Sequence, residues 1–289
     1  MTKPQEMNKE LVQCLVVLAI VIVVCSPAQT DDADDKRESE KSARINALLD
    51  KSLDEFRFGM GPGREASIHA IPVHRWTNDV RDSHSLGLLG IAVDHGKPIA
   101  TVATYIWSGK LIHELDSLSR KAFFATQGQA TIWAPEQSLT FVPIPSAPAV
   151  ESTESGRLRQ MKHLALQFSV TMLGWRLNQS DGEPLRLLPR ELFRYKPETV
   201  DCVDGALFVF ALGTDPEAIL AIEATKKESE QAQWQFALIR QTSAGLEAKH
   251  KGKEVWKAAP HSSRSDQNAL GKTIESSLNI DLELSTSKK

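Results

Sequence analysis

The chain has 289 residues, with 34 Lys plus Arg against 37 Asp plus Glu and a net charge of −3. That balance gives no electrostatic footprint for nucleic acid or for an anionic membrane surface, so neither is expected as a partner. With 25% charged and 41% apolar residues, the composition is that of a soluble globular protein.

Residues 1–10 are polar and carry Lys3 and Lys9, residues 11–25 are apolar except for Gln13, and Ser26 and Ala28 supply small residues. A mildly basic start, an apolar core and small residues at the −3 and −1 positions form a signal peptide, residues 1–28. The apolar run is shorter than the roughly 20 residues that a spanning helix needs. The rival reading is an uncleaved single-pass anchor, and Glu6 and Glu10 weaken the basic start. Membrane contact is expected only through this segment, and export to the periplasm or beyond follows from it. Cys14 and Cys25 lie here, so a cleaved chain keeps Cys202 alone and has no internal disulfide.

Residues 29–43 are charged without apolar periodicity and read as a disordered spacer. Ile45, Leu48, Leu49, Leu53 and Phe56 then share one helical face, and Gly59, Gly61, Pro62 and Gly63 end that helix. Residues 143–156 read as a linker rich in Pro, Ser and Ala. A second amphipathic helix is predicted over 157–173, with Leu158, Met161, Leu164, Ala165, Phe168 and Met172 on one side. Residues 261–289 read as a largely disordered polar tail, in which Leu278, Ile280, Leu282 and Leu284 alternate as a short strand would.

Two strand-rich blocks, 74–135 and 193–260, resemble each other. Each opens on Arg plus an aromatic residue, Arg75-Trp76 and Arg194-Tyr195, with an Asp seven residues after the Arg, Asp82 and Asp201. An apolar strand follows (86–93 and 206–212), then a turn with Gly, Asp and Pro, a second apolar strand (99–107 and 218–223), and a last strand ending in Trp133 or Trp256. This ordered agreement predicts an internal duplication. Asp215-Pro216-Glu217 has the form of a helix start, but its counterpart, 99–107, is rich in β-branched and aromatic residues, so both are read as strands. The expected fold is α+β: two related antiparallel β-meanders joined by an amphipathic helix, plus an N-terminal helix, in one domain over 44–260.

Six runs carry a family resemblance: Arg-Leu-Arg-Gln-Met at 157–161, Leu-Arg-Leu-Leu-Pro at 185–189, Arg194-Tyr195, Asp-Gly-Ala-Leu-Phe at 204–208, Gly-Thr-Asp-Pro-Glu at 213–217 and Gly-Lys-Glu-Val-Trp at 252–256. Together they resemble a family of uncharacterised exported proteins common in planctomycete bacteria. The resemblance spans most of 74–257 and implies export and domain limits. It carries over no catalytic or binding residue.

His69, His74, His84, His95 and His113 fall within 45 residues, which raises a metal site with Glu114 or Asp116. Their spacing matches no compact ligand motif, and His113 and Glu114 point to opposite faces of a strand, so no metal and no cofactor are expected. Asp82, Ser83 and His84 are consecutive and cannot converge as a triad. Gly271-Lys272-Thr273 lacks the upstream glycine of a phosphate loop. The remaining candidates for binding are Arg75, Asp82, Arg194 and Asp201, as two repeated Arg–Asp pairs, and no catalytic residue is assigned. The functional expectation is an exported, non-catalytic binding or scaffolding protein of the cell envelope. The alternative is a hydrolase of envelope or extracellular polymers using carboxylates such as Asp82, Glu114, Asp116 or Asp201.

Overall fold

The computed structural model describes residues 31–61, 65–78, 85–136, 138–174, 182–197, 201–226, 231–261 and 269–277. The apolar run 11–25, Asp82 to His84 and the alternating residues 278–284 lie outside them. Among the described residues no helix is long and apolar enough to cross a membrane. Arg44–Lys289 forms one compact unit, and the chain before it a second.

Helix α1 covers Asp31–Leu53, so the charged stretch expected as a disordered spacer is helical from Asp31 onward. Glu, Lys, Arg and Ala are strong helix formers, and Lys41 pairs with Glu38 one turn away at 3.7 Å. The helix stops before Phe56, which the helical periodicity had included. Phe56 and Phe58 are instead the buried residues of strand β1 (Phe56–Met60). The strands β2 (Ile68–Asn78), β3 (Ser85–Asp94), β4 (Lys97–Trp107), β5 (Lys110–Ser117), β6 (Phe123–Gln127), β7 (Ala130–Trp133) and β8 (Val142–Pro143) follow.

Helix α2 covers Glu154–Ala165, capped by Thr153, whose side chain accepts from the Gly156 amide. The predicted helix over 157–173 is therefore cut short, because Phe168, Val170 and Met172 are buried with a period of two in β9 (Phe168–Leu173). There follow β10 (Glu183–Pro184), β11 (Arg186–Leu187), β12 (Phe193–Tyr195), β13 (Cys202–Leu212), β14 (Asp215–Thr225), β15 (Gln233–Arg240), β16 (Gly245–His250), β17 (Lys253–Ala258) and β18 (Gly271–Ser277). Residues 215–217 open β14 as strand and not as a helix start. The chain is a β-rich α+β protein, and the described strands pair antiparallel.

The eight-stranded sheet runs β18-β5-β4-β3-β2-β1-β6-β7; a second sheet runs β11-β13-β14-β15-β8 with β12 also on β13; a third runs β10-β9-β16-β17. The pairings recur in order. Hairpins β3–β4 and β13–β14 turn through His95-Gly96 and Gly213-Thr214, and each carries a bulge, with Val93 opposite Pro98 and Ala211 opposite Pro216. His95 and Gly96 have φ of +43° and +75°, the left-handed pair that a two-residue hairpin turn demands. Strand β1 pairs with β6 and β6 with β7, while β9 pairs with β16 and β16 with β17. In both sets a tryptophan faces an alanine, Trp133 on Ala125 and Trp256 on Ala248.

The connections are reciprocal. Strand β8, which follows the first set, pairs with β15 of the second, and β18, which follows the second set, pairs with β5 of the first. Three cores result. Leu49, Leu53, Phe58, Leu88, Val102 and Trp133 pack within the first set, and Met161, Leu164, Phe168, Phe208, Ile222 and Phe236 within the second. Between them Trp76, Leu89 and Ile91 meet Tyr195, Leu207, Val209, Ile219 and Ile239. Successive residues of β3 and β13 thus enter different cores, which is why those strands read as unbroken apolar runs.

The tail expected to be disordered supplies β18, seven residues paired along β5, and Ala269, whose carbonyl accepts from Trp133 Nε1 at 2.8 Å. Truncation after His261 is expected to lower the midpoint of thermal unfolding by about 5 °C or more, on the order of 2 kcal/mol for a chain of this size. Differential scanning calorimetry of the truncated and full chains checks this.

Candidate functional site

The four described histidines of the cluster go to separate partners. His69 meets Asp54 at 3.1 Å, His74 bonds the Thr214 carbonyl at 2.9 Å, and His95 lies 3.8 Å from Asp94 in its turn. His113 is buried under α1, bonded to Ser52 and edge-on to Phe56. His84 is outside the described residues, among which no group of three or more His, Cys, Asp or Glu could hold a metal ion. Gly271-Lys272-Thr273 lies in strand β18, not in a phosphate loop.

The two arginines hold helices to strands. Arg75 pairs with Asp50 and bonds Asn46 Oδ1, both on α1; Asp82, the acid expected beside it, lies outside the described residues. Arg194 pairs with Asp204 and not with Asp201: its Nε and Nη2 lie 3.2 and 2.8 Å from the two carboxylate oxygens. Arg157 of α2 adds a third contact to Asp204 at 2.8 Å, and Arg194 also donates to the Glu154 carbonyl at the start of α2. Asp204 is fully buried, so two arginines compensate the desolvation of one carboxylate. Spacing in the sequence placed Asp201 there. The local bulge of β13 between Cys202 and Asp204 shifts which acid reaches the arginine.

Asp201 lies instead on a hollow of about 300 Å³, lined also by Asp94, Lys97, Ser119, Arg120 and Lys121. Beneath Lys97 and Arg120 sits Glu223, 1% exposed. Lys97 Nζ approaches it at 3.3 Å, Arg120 Nη2 at 3.0 Å, and Tyr195 Oη donates to it at 2.9 Å. Arg120 is fixed further by Gln235 Oε1 at 3.2 Å and by the face of Phe141, 3.9 Å from the ring centroid. Removing either cation would leave a buried carboxylate undercompensated, typically a loss of about 3–5 kcal/mol.

This network tunes its neighbours. Burial first, and the Glu223 charge second, push the Cys202 thiol up to about 12, and the same causes raise the Tyr195 hydroxyl well above its ordinary value. Neither is held as a nucleophile or base at neutral pH. Sequence reasoning missed Glu223, Lys97 and Arg120. The available signal was an acid at the end of the apolar run of β14, one of two buried in that strand with Glu217, at the position that pairs with Gly205 beneath Tyr195.

The first set has a matching place. Gly87 and Gly205 each lie under an aromatic ring, where an added Cβ would come within 2.0 Å of Trp76 or 2.4 Å of Tyr195. Opposite them stand Tyr105 and Glu223. The hollow beside Tyr105 is only about 60 Å³ and is lined by Trp76, Trp107, Glu114, Asp215 and Gln241. Glu114 and Asp116 are 5% and 2% exposed, and Asp116 accepts from Gln241 Nε2 at 3.0 Å.

No family model, curated protein or solved structure matches this chain.

Burial lowers the His113 imidazole from 6.5 to about 4. Above pH 6.5 it is neutral both folded and unfolded. As the pH falls from 6.5 to 4, the unfolded chain takes up a proton that the folded chain refuses, so stability drops by about 3 kcal/mol. In the second set Phe236 lies against Phe168 as His113 lies against Phe56, and the apolar Leu164 is buried in the same core as Phe236. The double variant S52L/H113F is expected to lose that acid-dependent component. Urea unfolding at pH 7, 5.5 and 4 measures it, and an unchanged pH slope would refute the assignment.

Proposed function

We propose that this chain is an exported, non-catalytic binding protein of the cell envelope, built from a duplicated unit of one helix and seven strands, with its ligand seated beside the Glu223 network. The observation that carries the binding reading is the state of that network. Its carboxylate, two cations and phenol are engaged with one another, and its thiol is held protonated. Lys97 and Arg120 of that network line the hollow and offer it fixed polar contacts. Against a carboxylate hydrolase stands the deep burial of Glu114 and Asp116, two of the four acids it would use.

The duplication is supported by features that chance strand packing has no reason to repeat. These are the two bulges beside Pro98 and Pro216, the two Trp–Ala pairs, the reciprocal edge strands and the two glycines beneath aromatic rings. Its physical basis is burial: a meander with two apolar faces needs its own helix on one side and a second meander on the other. Export rests on residues 1–28, with the resemblance to exported planctomycete proteins as a second reason.

Three measurements follow. Sequencing the N-terminus of protein recovered from the cell envelope is expected to find a start near Gln29, and a start at Met1 would make residues 11–25 an anchor. Gly87→Ala and Gly205→Ala are each expected to cost about 1–3 kcal/mol by overpacking, with similar losses in chemical denaturation. A loss at one site only would count against equivalent halves. Calorimetric titration with soluble peptidoglycan and polysaccharide fragments, followed by product analysis, should give binding without turnover; cleaved product would overturn the non-catalytic reading.

A further inference from the structure

The hollow of about 300 Å³ beside Glu223 has a surplus of hydrogen-bond donors on one wall. Arg120 spends only its Nη2 on Glu223 and Gln235. Its Nε and Nη1 have no acceptor among the described residues. Lys121, exposed on the same rim, has no acceptor for its Nζ either. The guanidinium is immobilised by Glu223, Gln235 and Phe141 before any ligand arrives, the pre-organisation that favours an oxyanion.

The other wall limits the charge of that ligand. Asp94 and Asp201 line the same hollow, and Glu223 already neutralises part of Lys97 and Arg120. A compact dianion such as phosphate would meet these two carboxylates at close range. A single carboxylate joined to hydroxyl groups fits both walls, with its oxygens on Arg120 and Lys121 and its hydroxyls donating to Asp94 and Asp201. The volume lies at the small end of ligand sites, the scale of one sugar ring. The pseudo-equivalent hollow has Asp215 at the position of Lys97, on the other bulged hairpin, so the cationic wall belongs to one half alone.

Resting on the binding reading, we propose that this hollow recognises a small hydroxylated carboxylate of the acidic-sugar class, through Arg120 and Lys121 on its carboxylate and Asp94 and Asp201 on its hydroxyls.

The test uses the full mature chain with four probes: D-glucuronate, D-glucose, acetate and inorganic phosphate. Isothermal titration reads affinity, and ¹H NMR of the same mixtures reads any conversion. D-glucuronate is expected to bind at least about tenfold more tightly than the other three. Lys121→Gln, whose side chain has no acceptor to lose among the described residues, should weaken it about tenfold. Arg120→Gln should weaken it further, its fold being checked by circular dichroism because Glu223 loses a partner. Equal affinity for glucose and glucuronate, or an unaltered Lys121→Gln, would overturn the proposal while leaving a binding protein for some other ligand. Conversion of glucuronate to a new species would retain the recognition and end the non-catalytic reading. A uronate disaccharide added as a fifth probe separates the sources of this chemistry: binding as tight as the monomer points to a polymer, and weaker binding to a free acidic sugar.

Discussion

The seam between the two β-meanders is the constraint on which the rest of the molecule depends. Strands β3, β4, β13 and β14 are covered on both faces, by the core of their own set on one side and by the opposite meander on the other. A sheet buried on both faces cannot tolerate the polar alternation of an ordinary antiparallel sheet. Each meander therefore exposes a wide apolar surface unless the other is present. With only Cys202 in the described unit and that thiol buried and free, no crosslink substitutes for this burial. The reciprocal edges, β8 on β15 and β18 on β5, extend the dependence to the strands that follow each set.

Charges inside such a seam are costly, and two of the carboxylates buried in the second set are handled differently. Asp204 lies at the mouth of β13, between Arg157 of α2 and Arg194 of β12, and so fastens a helix to its sheet. Glu223 lies on the seam face itself and draws its partners from both sets: Tyr195 from one, Lys97 and Arg120 from the other. Because a buried ion pair seldom stabilises more than an apolar replacement would, stability alone gives Glu223 no advantage over the tyrosine at the corresponding place, Tyr105. Its consequence is the fixed orientation of Arg120 at the wall of the larger hollow. Geometry there exceeds what packing requires.

The two halves differ most where they would be functionally distinct. Their bulges and Trp–Ala pairs coincide, while the side chains at and beneath the two hollows do not: Lys97 against Asp215, and Glu223 against Tyr105. Backbone features are held by the pairing geometry and tolerate little change. Side chains at the ends of the seam face solvent on one side and are released from it. His113 and Ser52 form a polar pair inside the first core, where the second holds apolar Phe236 and Leu164, at the cost of sensitivity to acid.

The sequence by itself determined the strands whose residues are apolar throughout or that turn on Gly and Pro: β3, β4, β13 and β14, with their two hairpin turns, were legible because local chemistry and long-range burial agree there. It determined the positions of Arg75 and Arg194 beside their aromatic neighbours, which the strand registers carry onto matching glycine-bearing rows. Only the tertiary structure decided where α1 and α2 end, since Phe56, Phe168 and Met172 satisfy a helical period and an alternating one equally well until a sheet accepts them. Only it decided that Arg194 meets Asp204, that Arg75 meets Asp50, and that residues 271–277 form an edge strand. Each of those contacts joins segments whose separation in the chain carries no periodic signal. Glu223 belongs to the same class: an acid within an apolar strand is unexplained in sequence, and becomes intelligible once folding brings Lys97 and Arg120 across the seam to meet it.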